Sequence, residues 1–595
     1  MTETSDNIKD NVPSSRTAII ILSEILICML MLHVYWVLLN NAPPVEDDNM
    51  QLFKSLEYHY ESGMSFKQFF IVTAIGRGGA FYPHFVYLVT SIFYNLLGVT
   101  EYAARISMLP FLVMLTYSTY GLGKRLWGVW SGFTAAVACL TASSIQHYSH
   151  SYFLDIPLTA AVIFHLYAIH ASNKLTDKKG CLLWGGSLAL GFMIKWTFLL
   201  WVLVPEILLL CAWLFSEKKY VLGKIAMLAL LAAMAAIPAI KRTGYGMTTT
   251  SIPGDMTVSF FMFLSIVLLA GSILLLIFTR KSPELFYASW GFIIAEILTV
   301  PWYAENTPSI LEGLTMAQGL AVAHDINLAA INNWMCMTRA IYGINILLPI
   351  AFLAGLRKGC RKNLFYSIIC AFTGLALMTC SFVHAERYAL PAVPPLCILA
   401  FSWISLIKKY SWIATLVFTP VFLWQALAWT PAVTPYLPLP SNDRLIFFDP
   451  IPRTAIAPDP KDYGVKQVLA DMLASGLRQA SLSDPYLVWL MCGDDNNFVQ
   501  GRTINYYMLL YKLPMEAFQI EPKDFGHSPE MLSRITRDGD FFLAIWKDKG
   551  ELQYWTNTIK SQGWKMQHIN DYPINETSTI STFRRTHYTH YLKRM

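Results

Sequence analysis

Apolar runs long enough to cross a bilayer recur through the first three quarters of the chain, at 17–40, 102–123, 127–146, 156–172, 181–195, 197–215, 221–240, 256–279, 284–301, 338–356, 363–382, 388–407 and 411–429. Hydrocarbon offers the peptide group no hydrogen-bonding partner, so segments of this kind must satisfy their backbones internally, as helices. Crossing a core of about 30 Å takes about 20 helical residues, and a few runs, such as 181–195, are short for it. With 55% hydrophobic and only 14% charged residues in 595, the chain reads as a polytopic α-helical membrane protein with about thirteen transmembrane helices. Residues 1–16 are polar, and the run after them exceeds a signal-peptide core and has no small-x-small cleavage site. The expectation is an uncleaved first helix.

Basic residues in short loops mark the cytoplasmic side. Lys124-Arg125, Lys174 with Lys178-Lys179, Lys218-Lys219, Arg280-Lys281, Arg357-Lys358 with Arg361-Lys362, and Lys408-Lys409 fall in alternate loops only if the further apolar run 82–97 does not cross. That run is therefore expected to lie at the outer interface. The resulting topology is multi-pass, with the amino terminus inside and the carboxyl terminus outside. Glu46-Asp47-Asp48, Arg77, His84, Asp155, Lys241-Arg242, Glu305, Asp325, His384, Glu386 and Arg387 then share the external side, where 41–101 and 302–337 are the longest loops. Long loops on a rigid scaffold are where sites are usually built.

After Thr430 four prolines (431, 435, 438 and 440) punctuate a linker, and ordinary mixed polarity follows. The division expected is a membrane domain over 1–430 and a soluble external α/β domain over 431–595, with helices near 465–478 and 550–561 and buried strands at 486–492 and 541–546. A net charge of +6 spread in short clusters argues against nucleic acid as a partner. The ten cysteines form no CxxC pair, so neither a disulfide framework nor a zinc knuckle is signalled.

Asp47 and Asp48 stand at the exit of the first apolar run, where a base or a helix cap explains them about equally well. Asp155 returns an acid to the same face and also suits the start of the helix that Pro157 favours. Lys241-Arg242 is a cationic pair on the side the charge rule disfavours; it reads as snorkelling or as a holder of a lipid phosphate. Arg77 lies in Gly76-Arg77-Gly78-Gly79, a turn that lets amides and guanidinium approach a phosphate. No GxxxxGK[ST] motif occurs, so ATP hydrolysis has no support. Glu386-Arg387 fits a turn-stabilising pair. Glu24, His165, Glu206 and Glu296 lie inside spans, and Asp494-Asp495 suits a turn.

An acidic pair after the first span, Glu101-Tyr102-Ala103-Ala104-Arg105 before the second, Gly123-Lys124-Arg125-Leu126-Trp127-Gly128 after it, Leu154-Asp155, Gly185 to Lys195 (GGSLALGFMIK) and Glu386 to Leu396 (ERYALPAVPPL) occur in an order that resembles the GT-C glycosyltransferases. Among these the bacterial lipid A aminoarabinose transferases and the protein O-mannosyltransferases are most similar, and the resemblance covers most of the membrane region. It implies a GT-C-like fold in a bacterial inner membrane and a polyprenyl-phosphate-linked sugar as donor. By position it implies Asp47 as catalytic base, Asp48 as its neighbour and Asp155 as a second catalytic acid. The aminoarabinose transferases carry Lys-Pro-Pro where this chain has Tyr82-Pro83-His84-Phe85, which leaves His84 or Arg77 to replace the lysine at the lipid phosphate.

The expected activity is an inverting transfer to a lipid, glycan or protein hydroxyl on the external face, with Arg77, His84, Lys241, Arg242 and Arg387 on the donor phosphate. No cofactor is specified, and the external acids leave a divalent metal open. A flippase or secondary transporter is the main alternative, although no internal repeat is found. A non-catalytic subunit of an envelope-glycan complex is another.

Overall fold

A computed structural model of the protein describes residues 15–44, 46–63, 81–215, 225, 283–322, 347–357, 359–379, 386–428, 465–476, 481, 486–492, 501–520, 540–546, 549–561, 565–573 and 579–586. Among the described residues four helical stretches are long and apolar enough to cross a membrane: Ser15–Leu39, Glu101–Trp127, Leu285–Tyr303 and Arg387–Ile407. Shorter apolar helices include Phe85–Leu97, Val129–Thr141, Asp155–Ala171 and Phe198–Leu214. The expected spans 221–240 and 256–279 lie outside the described residues apart from Ile225.

The first helix shows how lipid and protein divide its surface. Ala18, Leu22, Ile25, Met29 and Trp36 are buried, while Ile20, Ile27, Met31 and Leu38 are exposed although equally apolar. An apolar side turned away from the protein suits hydrocarbon as its solvent.

Leu109–Trp127 and Val129–Thr141 form a helical hairpin turned at Gly128, whose φ of 96° lies in the left-handed region where other residues are strained. Its arms touch backbone to backbone: a Cβ on Gly132 would lie 2.5 Å from the Lys124 amide nitrogen. Of the glycines in the 123–128 motif, Gly123 thus has a packing cause, a Cβ there lying 2.7 Å from Gly132 Cα, and Gly128 a conformational one.

The expected loops are more ordered than their hydropathy implies. The segment 41–101 contains the helices Glu46–Ser62 and Phe85–Leu97, and the helix that includes 284–301 runs on from Pro283 to Val322. Phe85–Leu97, with 13 residues, rises about 20 Å, short of a roughly 30 Å hydrocarbon core.

Toward the carboxyl end, β1 (Tyr486–Cys492), β2 (Met515–Ile520), β3 (Phe541–Trp546), β4 (Met566–Pro573) and β5 (Thr579–Arg585) form one sheet in the order β2-β1-β3-β5-β4. β1 is parallel to β2 and β3, whereas β5 is antiparallel to β3 and β4, and a register shift interrupts β4 between His568 and Asn570. Alternation divides the sheet between two apolar clusters. Val488, Leu490, Leu543 and Ile545 join Leu469, Met472 and Tyr506 of helices Val465–Ser475 and Gly501–Leu510, while Trp489, Phe542 and Ala544 join Trp555 and Ile559 of helix Lys549–Ser561. Helix Gly501–Leu510 also packs against Glu46–Ser62, the helix that carries the acids.

Candidate active site

Asp47 and Asp48 occupy the first turn of helix Glu46–Ser62, and about 100° of helical rotation sends their carboxylates to different partners. Asp48 turns inward. Its Oδ1 accepts from the Tyr152 amide at 2.7 Å, and its Oδ2 stands 3.4 Å from Arg105 Nη2. Burial pushes its carboxyl upward from the ordinary value, against the pull of Arg105 and of the Tyr152 amide. Two contacts inside protein, a backbone hydrogen bond and an ion pair, make Asp48 a tie between the acidic turn, helix Glu101–Ile106 and the 150–154 turn.

Asp47 turns toward Arg387, with which it makes a close hydrogen-bonded ion pair, and its side chain keeps 40% exposure. The Arg387 guanidinium lies 4.8 Å from the Phe153 ring and 5.3 Å from the Tyr388 ring, and its Nε stands 3.6 Å from Asp155 Oδ2. That last separation is an ion-pair contact too long for a hydrogen bond. Asp155, 4% exposed, begins helix Asp155–Ala171 and accepts from Lys195 Nζ at 2.8 Å. Lys195 ends helix Lys178–Ile194, its ammonium 5.0 Å from the Tyr388 ring and 5.7 Å from Tyr82. Burial pushes the Tyr82 hydroxyl up to about 12, with Lys195 acting the other way.

The four groups thus alternate in sign, Asp47, Arg387, Asp155, Lys195, from a half-exposed carboxylate to a buried ammonium. Desolvated aromatic walls strengthen each contact and hold the cations against the ring faces. Such a network can take a proton at its open carboxylate and present positive charge to an anion beside it.

Of the residues expected from sequence, Asp47, Asp155 and Arg387 come together here, and Asp48 lies next to them on the Arg105 side. His84 is buried among rings, stacked on Tyr58 at 5.6 Å and edge-on to Trp302 at 6.4 Å. Arg77, Lys241 and Arg242 lie outside the described residues, as do Asp325, His384 and Asp494-Asp495. The side chains of Glu46, Glu305 and Glu386 also lie outside the description. Among the described residues no group of three or more His, Cys, Asp or Glu is placed to hold a metal.

Sequence reasoning passed over Lys195, Arg105, Tyr82 and Tyr388. Two signals were present: Lys195 and Arg105 each end one of the quoted motif stretches, and each is a cation at the end of an apolar run, where burial demands a partner. Inside the bundle, His165 pairs with Glu206 at 3.0 Å and with Ser187 at 2.8 Å, and Trp184 Nε1 donates to the same Glu206 at 3.0 Å. These span residues therefore satisfy one another.

No family model matches the sequence, and no curated protein does. Solved structures similar to the chain include ArnT from Cupriavidus metallidurans bound to undecaprenyl phosphate, at 13% identity over 96% of this chain and 98% of that one, TM-score 0.39. The same protein in its apo state is similar at 10% identity, 96% and 98% coverage and a TM-score of 0.38. The Archaeoglobus fulgidus oligosaccharyltransferase in complex with zinc and sulfate is similar at 11% identity over 87% of this chain and 67% of that one, TM-score 0.44.

Proposed function

We propose that the protein is an inverting membrane glycosyltransferase, moving a sugar from a polyprenyl-phosphate-linked donor to a lipid, glycan or protein hydroxyl on the external face of a bacterial inner membrane. The supporting observation is the half-exposed Asp47 carboxylate at the open end of the buried Arg387–Asp155–Lys195 network. Asp47 accepts the proton of the acceptor hydroxyl as its oxygen bonds to the anomeric carbon. The bond from that carbon to phosphate oxygen breaks, and its electron pair leaves on the lipid phosphate. Arg387 meets that developing charge after releasing Asp47, while Asp155 and Lys195 fix the guanidinium between Phe153 and Tyr388. The family resemblance supports Arg77, Lys241 and Arg242 as further partners of the donor phosphate and residues 431–595 as a second, external unit; His84, buried between Tyr58 and Trp302, is the weakest of the expected phosphate ligands.

The full-length protein in vesicles, supplied with radiolabelled polyprenyl-phosphate sugars and envelope extract, tests this reading. Asp47→Asn should lower transfer by about 10²- to 10⁴-fold with the folded fraction unchanged. An Asp47→Asn enzyme at full rate would remove Asp47 as base, and donor movement without transfer would make the protein a flippase.

A further inference from the structure

The acidic turn is gripped from the other end of the chain. Thr503, on the first turn of helix Gly501–Leu510, donates its hydroxyl to the Pro44 carbonyl at 3.0 Å and accepts from Asn49 Nδ2 at 3.0 Å. Thr503 and Asn49 are both fully buried. One hydroxyl therefore spans the stretch from Pro44 to Asn49, and Asp47 and Asp48 lie between its two anchor points. Nearby contacts follow the same seam: the Tyr507 hydroxyl bonds Glu101, one turn before Arg105, and the Lys512 ammonium lies 4.8 Å from the Tyr60 ring.

We infer that Thr503 is a positioning residue, and that helix Gly501–Leu510 sets the direction of the Asp47 carboxylate by fixing both ends of the acidic turn. The physical reason is the reach of one hydroxyl. As a donor it holds the carbonyl before the turn, and as an acceptor it holds the side chain after it, so the rotation of the first helical turn about its axis has little freedom left. Neighbours on this turn point about 100° apart, so a modest rotation takes Asp47 off Arg387. A buried hydroxyl with both bonds made resists such rotation, because each bond broken leaves an unsatisfied group out of reach of water. The role matters to catalysis only if the transfer reading holds, and its test is chosen to stand apart from that reading.

Full-length wild type, Thr503→Val, Thr503→Ser and Asn49→Ala are treated with a water-soluble carbodiimide and an amine, and modification of Asp47 is followed by mass spectrometry alongside the folded fraction. Thr503→Val keeps shape and loses both bonds, so Asp47 should label several-fold faster. Asn49→Ala should do the same, and Thr503→Ser should return the wild-type rate. In the transfer assay Thr503→Val should lower kcat about tenfold with the donor KM unchanged, and the Thr503→Val/Asn49→Ala pair should lose no more than either alone. Wild-type labelling of Asp47 in both folded Thr503→Val and folded Asn49→Ala would overturn the inference, as would additive losses. If the wild type transfers no sugar, the functional reading fails while the labelling still decides the role of Thr503.

Discussion

Replacing Lys195 by Met keeps the unbranched side chain as far as Cε and removes the charged Nζ beside Asp155. In the native site the ammonium stands 2.8 Å from Oδ1, and both side chains are less than one tenth exposed. With an effective dielectric near 20, that contact corresponds to a gross attraction of about 6 kcal/mol. Desolvation of both ions offsets much of it, and deleting one member of a buried pair typically costs about 3–5 kcal/mol because the other charge is stranded. Here Arg387 remains 3.6 Å from the opposite carboxylate oxygen. The expected loss is therefore the low end, about 3 kcal/mol, or roughly 100-fold in the unfolding equilibrium. Asp155→Asn/Lys195→Met, which strands neither group, should recover to within about 1 kcal/mol of wild type. Titration of detergent-solubilised protein with SDS, followed by tryptophan fluorescence, reads the difference. A Lys195→Met midpoint at the wild-type value, or a double variant as unstable as the sum of the singles, would refute the reasoning.

The helical hairpin gives a second prediction: Gly132→Ala places a methyl 2.5 Å from one backbone nitrogen and 2.7 Å from the Tyr120 carbonyl oxygen, atoms that cannot rotate away. A loss of at least about 2 kcal/mol is expected, seen as a reduced monodisperse fraction on size exclusion; wild-type yield would contradict the packing. A pH window follows from the sheet region. The Tyr572 hydroxyl bonds the Asp471 carboxylate and holds it below its usual range, while burial and that same carboxylate push Tyr572 up to about 12. The Asp471 contribution to stability is present above the unfolded carboxylate value and is lost as pH falls through the depressed one. The Tyr572 contribution is complete below the unfolded tyrosine value and is lost as pH rises through about 12. Amide protection factors in Val465–Ser475, which remove the intrinsic pH dependence of exchange, should be highest between these limits, and Asp471→Asn should flatten the acid side; an unchanged acid side in that variant would disprove the linkage.

Helices in the apolar runs were legible because hydropathy is local: the run 17–40 became helix Ser15–Leu39, and 363–382 became Arg361–Thr379. The strands at 486–492 and 541–546 were legible as short, wholly apolar runs. β2, β4 and β5 were not, because segments such as Met566–Pro573, with its His, Asn and Asp, have one solvated side and little apolar contrast. Helix Glu46–Ser62 looked like a loop for the related reason that its mean polarity hides an amphipathic period. For the site, the residue types were visible and their partners were not. Arg387 meets Asp47 across 340 positions, and no local pattern records such a pairing. Asp47 and Asp48 looked equivalent as neighbours, yet helical rotation gave one to the open end of the network and the other to Arg105.

β4 is an outer strand of the sheet, and an outer strand offers unpaired amides and carbonyls to any passing chain. Its register shift between His568 and Asn570 breaks the even spacing that a visiting strand would need, and Pro573 withholds an amide at its end. The exposed His568–Asp571 pair adds charges that a docking strand would have to strip of water. This margin of the sheet is thereby guarded against edge-to-edge pairing with another chain.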